Sequence, residues 1–213
     1  MINLILKDFK LMKKIVIIGM IYMIFVIVGS FMLPIEMGNI MYCLLIIFMT
    51  YLSVLYADGY EEMNKGYLIL ASLPIRRHFI VASKYLALAL YYIIYSIMPL
   101  IILGIASTIA GRGFKTYSLF MIILSFIVLG IVYSIYYPIY YKFGYKALKV
   151  YKILVFVFIF LVPKWIVEII KSSSVPAFID NKVILLIAMF VVIGILCLSY
   201  AVSAKIYEKK ELI

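Results

Sequence analysis

The chain has 213 residues, 68% of them hydrophobic, and a formal net charge of +11 at pH 7. A mean hydropathy of +1.22 matches no soluble class, so lipid is the solvent for this protein. The inventory also excludes several chemistries. One His (His78) and two cysteines inside apolar runs (Cys43, Cys197) assemble no metal site, no Ser–His–Asp set can be drawn, and no Gly-x-x-x-x-Gly-Lys-Ser/Thr phosphate loop occurs. No catalytic residue, metal or cofactor is assigned to the chain itself.

A helix needs about 20 apolar residues to cross a bilayer core, where its backbone must be bonded internally. Met1–Lys14 come first. Ile2, Ile5, Leu6, Phe9 and Met12 recur at helical spacing while Lys7, Asp8, Lys10 and Lys14 lie mainly elsewhere on the wheel, which predicts an amphipathic helix in the interface plane. It is either a topology anchor or an elbow that touches a cytoplasmic partner. Ile15–Leu33 is the first charge-free run. It is longer than a signal core and no Ala-x-Ala-like site follows, so it reads as a retained span. Pro34–Asn39 is a short outer loop that makes it a tight antiparallel pair with the second run, Ile40–Ala57. Asp58–Lys84 is the longest polar stretch. It predicts two helical pieces, one carrying Asp58, Glu61, Glu62 and then Lys65, the other capped by Ser72 ahead of Leu73 and Pro74 and running through Arg76, Arg77 and His78 to Lys84. The stretch is either a solvated connector that holds topology or, the preferred reading, a docking surface for a soluble protein.

Tyr85–Ile109 is the third run, and Ala110–Ser118 a short outer loop. The fourth run, Leu119–Tyr141, ends in a tyrosine cluster. Tyr140 and Tyr141 fit ordinary interfacial belt chemistry. Tyr133 shares a helix face with Tyr136 and with Tyr137, and these three are candidates for an amphipathic substrate path. The fifth run, Ile153–Ile170, is interrupted by Lys164 and Glu168, which are four apart and can pair. Charge at membrane depth is costly and marks function by default. Two geometries are open: a full span with a functional pair or, preferred, a span ending near Pro163 and an outer re-entrant segment over 163–182 anchored by Trp165. Val183–Ala204 is the last run.

With six spans alternating from a cytoplasmic N-tail, only Arg112, Lys115, Lys164, Lys171 and Lys182 of the 20 Lys and Arg fall outside. That asymmetry is the positive-inside signature and puts both termini in the cytoplasm. The basic balance is thus topological; it suits anionic inner-leaflet lipid and not nucleic acid. Residues 1–213 form one transmembrane domain.

The stretch EEMNKGYLILASLPIRRHFIVASKYL, from Glu61 to Leu86, resembles the first cytoplasmic loop of small bacterial permeases of the type-2 ABC exporter family. In that family an acidic cluster after the second span leads to a Ser-Leu-Pro element and then a basic, apolar helix entering span three. Here those features are Glu61, Glu62, Ser72, Leu73, Pro74, Arg76, Val81, Lys84 and Tyr85; Arg77 and His78 stand at variable places and take no role. The layout of the whole chain is similar too. The resemblance implies an all-α, six-span permease of the bacterial cell membrane, with an N-terminal elbow helix over 1–14, a coupling loop over 58–84 and re-entrant helices between spans five and six. It further implies that Glu61, Glu62, Ser72, Leu73, Pro74, Arg76 and Lys84 dock a separate cytoplasmic ABC ATPase, which carries the ATP and Mg, and that a second permease copy completes a homodimer or heterodimer. Among small members the layout looks most like permeases that export cytolytic amphipathic peptides such as phenol-soluble modulins, or that confer peptide-antibiotic immunity. The 12 Met suit an adaptable apolar surface for such a substrate. Three other readings compete. A stand-alone secondary transporter usually shows intramembrane ionisable residues, which spans one to four and six lack. A membrane enzyme is opposed by the single His outside the spans. A non-transporting scaffold is the third.

Overall fold

The computed structural model describes residues 17–24, 35–64, 66, 76–109, 119–145, 147–171 and 182–209. Among the described residues every regular element is a helix: α1 over 17–24, α2 Ile35–Met63, α3 Arg77–Ile109, α4 Leu119–Phe143, α5 Lys149–Lys171 and α6 Lys182–Lys209. Four of them (α2, α3, α4 and α6) are long and apolar enough to cross a membrane. The interfacial helix expected over 1–14 lies outside the described residues, as do Ser72, Leu73, Pro74, the loop 110–118 and the segment 172–181.

Three boundaries differ from the sequence reading. α2 already begins at Ile35, so most of the loop expected over 34–39 is helix. At its other end α2 runs on to Met63, and Asp58, Glu61 and Glu62 sit on the spanning helix itself and not on a separate piece. Glu and Met are good helix formers, and the weak point, Gly59, lies beneath the Tyr145 hydroxyl, 2.6 Å from where a Cβ would stand. α5 continues through Pro163 to Lys171, so the chain does not turn back at Pro163 as expected. A proline costs the helix one N–H bond and a bend, which a membrane helix tolerates when neighbours satisfy the freed groups. At 23 residues α5 is about 34 Å long, enough for one crossing.

The helices alternate in direction. Lys84 in the third turn of α3 bonds Asp58 near the end of α2, the Tyr51 hydroxyl of α2 donates to the Lys152 carbonyl at the start of α5, and Arg77 at the start of α3 reaches Glu208 at the end of α6. So α2, α4 and α6 end on the side where α3 and α5 begin. Lys142, Lys149, Arg76, Arg77, Lys205 and Lys209 all gather at that end. α4 is central, packed on α6 and α2; α3 also packs on α6 and α2, and α5 touches α2. Gly130 lets α4 and α6 approach so closely that a methyl there would overlap Val192 Cγ1. Outward faces are apolar, as with Phe190 at 68% exposed, which suits lipid.

Pro138 interrupts α4 in the midst of the tyrosines. Proline has no N–H, so the carbonyl four residues back, that of Ser134, loses its helical donor. The Ser199 hydroxyl of α6 replaces it at 2.7 Å. With that proton committed, Ser199 Oγ accepts from the Tyr85 hydroxyl of α3 at 2.7 Å. A defect in one helix is thereby converted into a bridge joining three.

Candidate functional site

Asp58 and Glu61 are three residues apart, which puts both carboxylates on one face of the last turns of α2. That face meets α3. Lys84 Nζ lies 2.9 Å from Asp58 Oδ1 and 2.6 Å from Glu61 Oε2, with the three side chains between 1% and 6% exposed. α4 closes the cluster. The Tyr136 hydroxyl donates to Asp58 Oδ2 at 3.0 Å and the Tyr137 hydroxyl to the Lys84 carbonyl at 3.1 Å. Ions taken out of water are tolerated only where partners and hydrogen bonds compensate them. Here two carboxylates share one ammonium, and a phenol satisfies the second oxygen of Asp58. The result is a polar knot binding α2, α3 and α4 directly below the connection between α2 and α3.

Tyrosines wrap the knot. Tyr133, Tyr136 and Tyr137 are 0%, 0% and 1% exposed, with ring centroids 5.5 or 5.6 Å apart. Tyr133 also donates to the Tyr51 carbonyl at 3.4 Å, and Tyr151 of α5 to the Val132 carbonyl at 2.6 Å. In the first turn of α5, ahead of the apolar run that starts at Ile153, the Lys152 ammonium sits over the Tyr145 ring and donates to the Tyr145 carbonyl at 3.0 Å. Burial pulls the Lys152 amine down to about 8 and pushes the Tyr145 hydroxyl up.

The residues expected to dock a partner therefore divide. Arg76 is exposed and Glu62 partly so, next to the segment 67–75 that contains Ser72, Leu73 and Pro74. Glu61 and Lys84, expected on the same docking surface, are both 5% exposed and face into the bundle. Lys84 contacts both Glu61 and Asp58 there. The tyrosines expected along a substrate path are core residues whose hydroxyls hold helices together. Their rings are buried in this structure. Lys164 and Glu168 fall in the last turns of α5, and their side chains lie outside the described residues. Sequence reasoning placed Asp58 in the loop and gave it no site role. The signal was present in its spacing to Glu61 and in a lone Lys at the start of the next apolar run. Ser199 and Arg77 were missed because their partners are backbone carbonyls, which leave no mark in a sequence.

Among the described residues no group of three or more His, Cys, Asp or Glu is placed to hold a metal, and both cysteines are free. A groove of about 450 Å³ opens between α3, α4 and α6, lined almost wholly by apolar side chains and aromatic rings, among them Leu86, Tyr92, Phe126, Leu196 and Tyr200.

Residues 3–208 match the model of a family described as ABC-2 family transporter protein. No curated protein and no solved structure matches the chain.

Proposed function

Because this chain belongs to the ABC-2 family of transporter proteins, we propose that it is the permease subunit of an ABC exporter that moves an amphipathic or hydrophobic peptide out of the cell, driven by a separate cytoplasmic ATPase. ATP and Mg belong to that partner. α1 and α5 complete six spans, both termini lie in the cytoplasm of a bacterial cell, and a second permease copy, identical or related, forms the other half.

One observation carries this reading. The connection 64–76 is flanked by two helices, α2 and α3, locked to each other at its base by Lys84, Asp58 and Glu61. A push on a flexible loop dissipates in the loop. A push on this one reaches both helices, and α4 through Tyr136, because separating them means breaking a buried ion cluster. That suits a loop through which an ATPase drives alternating access. Glu62 and Arg76, with Ser72, Leu73 and Pro74 between them, form the contact surface, and Glu61 and Lys84 transmit. Anionic inner-leaflet lipid is drawn to the lysines at that end, and the groove between α3, α4 and α6 offers an apolar side chain of the substrate a place to rest.

The test is a gentle detergent purification of the tagged chain from its native host. An ATPase bearing a phosphate loop should come with it, near one copy per permease, and should leave when Glu62→Lys and Arg76→Glu are introduced while the permease still inserts. A permease that purifies alone, or one that keeps its ATPase despite both reversals, overturns the docking assignment.

A further inference from the structure

α3 and α6 run antiparallel and are joined at two places. At the first, the Tyr85 hydroxyl meets Ser199 Oγ at 2.7 Å and Ser203 Oγ at 3.2 Å, with the Tyr85 and Tyr200 rings edge to face at 5.7 Å. At the second, nearer the helix ends, Arg77 Nη1 donates to the carbonyl of Glu208 at 2.9 Å and to that of Tyr207 at 3.3 Å. His78 Nδ1 stands 3.8 Å from the Glu208 carboxylate. The two joints agree in register: eight residues separate Arg77 from Tyr85 on α3 and nine separate Ser199 from Glu208 on α6, about 12 and 13 Å along the helices.

The second joint has a particular chemistry. The last carbonyls of a helix lack internal donors and carry the negative end of its dipole. A guanidinium aimed at two of them makes charge-assisted bonds, here both from Nη1. Arg77 is the first residue of α3, immediately after the connection that leads from α2. It is partly buried, and its neighbour Arg76, which bonds neither carbonyl, is exposed.

We propose that Arg77 is a positioning residue that latches the C-terminal end of α6 to the first turn of α3, so that displacement of the coupling connection is passed to α6 as well as to α2 and α4. The proposal rests on the permease reading for its purpose. As a mechanical joint it stands without it. α6 needs such a joint because much of its surface faces outward; beyond its seam with α4, contact with α3 is what ties it to the ion cluster.

Spin labels on Phe79→Cys and Lys205→Cys, in a Cys43→Ala, Cys197→Ser background of the full chain in liposomes, read the distance between the first turn of α3 and the end of α6. A latch gives a narrow distribution that broadens in Arg77→Ala and narrows again in part with Arg77→Lys, which keeps the charge but has a shorter reach. The Tyr85 joint holds the helices together in every variant. An unchanged distribution in Arg77→Ala overturns the latch whether or not any ATPase binds. In the complex with the co-purified ATPase, ATP with vanadate should shift the Lys205 label in the parent and lose that shift in Arg77→Ala, with ATPase stoichiometry retained. A retained shift refutes transmission through Arg77, and a lost ATPase shows that Arg77 belongs to the docking surface instead. If the parent itself binds no ATPase, the permease reading fails and the label distances alone decide the joint.

Discussion

Replacing Lys84 by Met keeps most of the side-chain volume and removes the ammonium. Asp58 and Glu61 then face each other in a site where neither is more than 5% exposed, with the Tyr136 hydroxyl still on Asp58. Breaking a buried ion cluster by deleting one partner costs about 3–5 kcal/mol, because a charge is left uncompensated. For a chain of this size that corresponds to a fall in melting temperature of roughly 6–20 °C. The assay is thermal unfolding of the detergent-solubilised chain, followed by size exclusion. The decisive comparison is the triple variant Asp58→Asn, Glu61→Gln, Lys84→Met. A buried ion group replaced as a whole by uncharged residues of similar volume is close to neutral in stability, so the triple variant should melt well above Lys84→Met alone. The single costs are therefore strongly non-additive. A Lys84→Met variant within about a degree of the parent would refute the reasoning, since it would mean the carboxylates are compensated in the folded state without Lys84.

Ser199→Ala removes the donor that Pro138 makes necessary and strands the Ser134 carbonyl at membrane depth; the cost expected is about 0.6–1.7 kcal/mol, and Pro138→Ala in the same chain should recover most of it, both read from melting temperature. Lys152 supplies a pH test. Its amine is lowered from 10.5 to about 8 on folding, so below pH 8 both states are protonated and nothing changes, whereas between 8 and 10.5 the unfolded chain binds the extra proton and the folded state gains. The parent should gain stability relative to Lys152→Met as pH rises through that window, and a constant difference from pH 7 to 10 would refute the burial of Lys152.

The all-helical class and the presence of long apolar helices followed from composition and the length of the apolar runs. A chain this apolar in hydrocarbon has no other way to satisfy its backbone. Charge asymmetry alone led to the grouping of basic helix ends on one side, because the energetics of charge near a membrane depend on position along the chain and not on folding detail. The acidic and basic residues flanking the α2–α3 connection were legible too, but their direction was not. Glu61 and Glu62 are chemically alike and adjacent; a rotation of about 100° per residue turns one into the bundle and leaves the other partly exposed. Only the packing of α2 on α3 and α4 decides which. The same holds for Tyr133, Tyr136 and Tyr137. A tyrosine serves a lipid interface, a pathway or a core equally well, and it was the approach of α2 and α5 that made these three a core. Finally, bonds to main-chain carbonyls, such as those of Ser199 to Ser134 and Arg77 to Glu208, become available only when a helix kinks or ends beside the donor. The donor's identity is written in the sequence, but the acceptor is created by the fold.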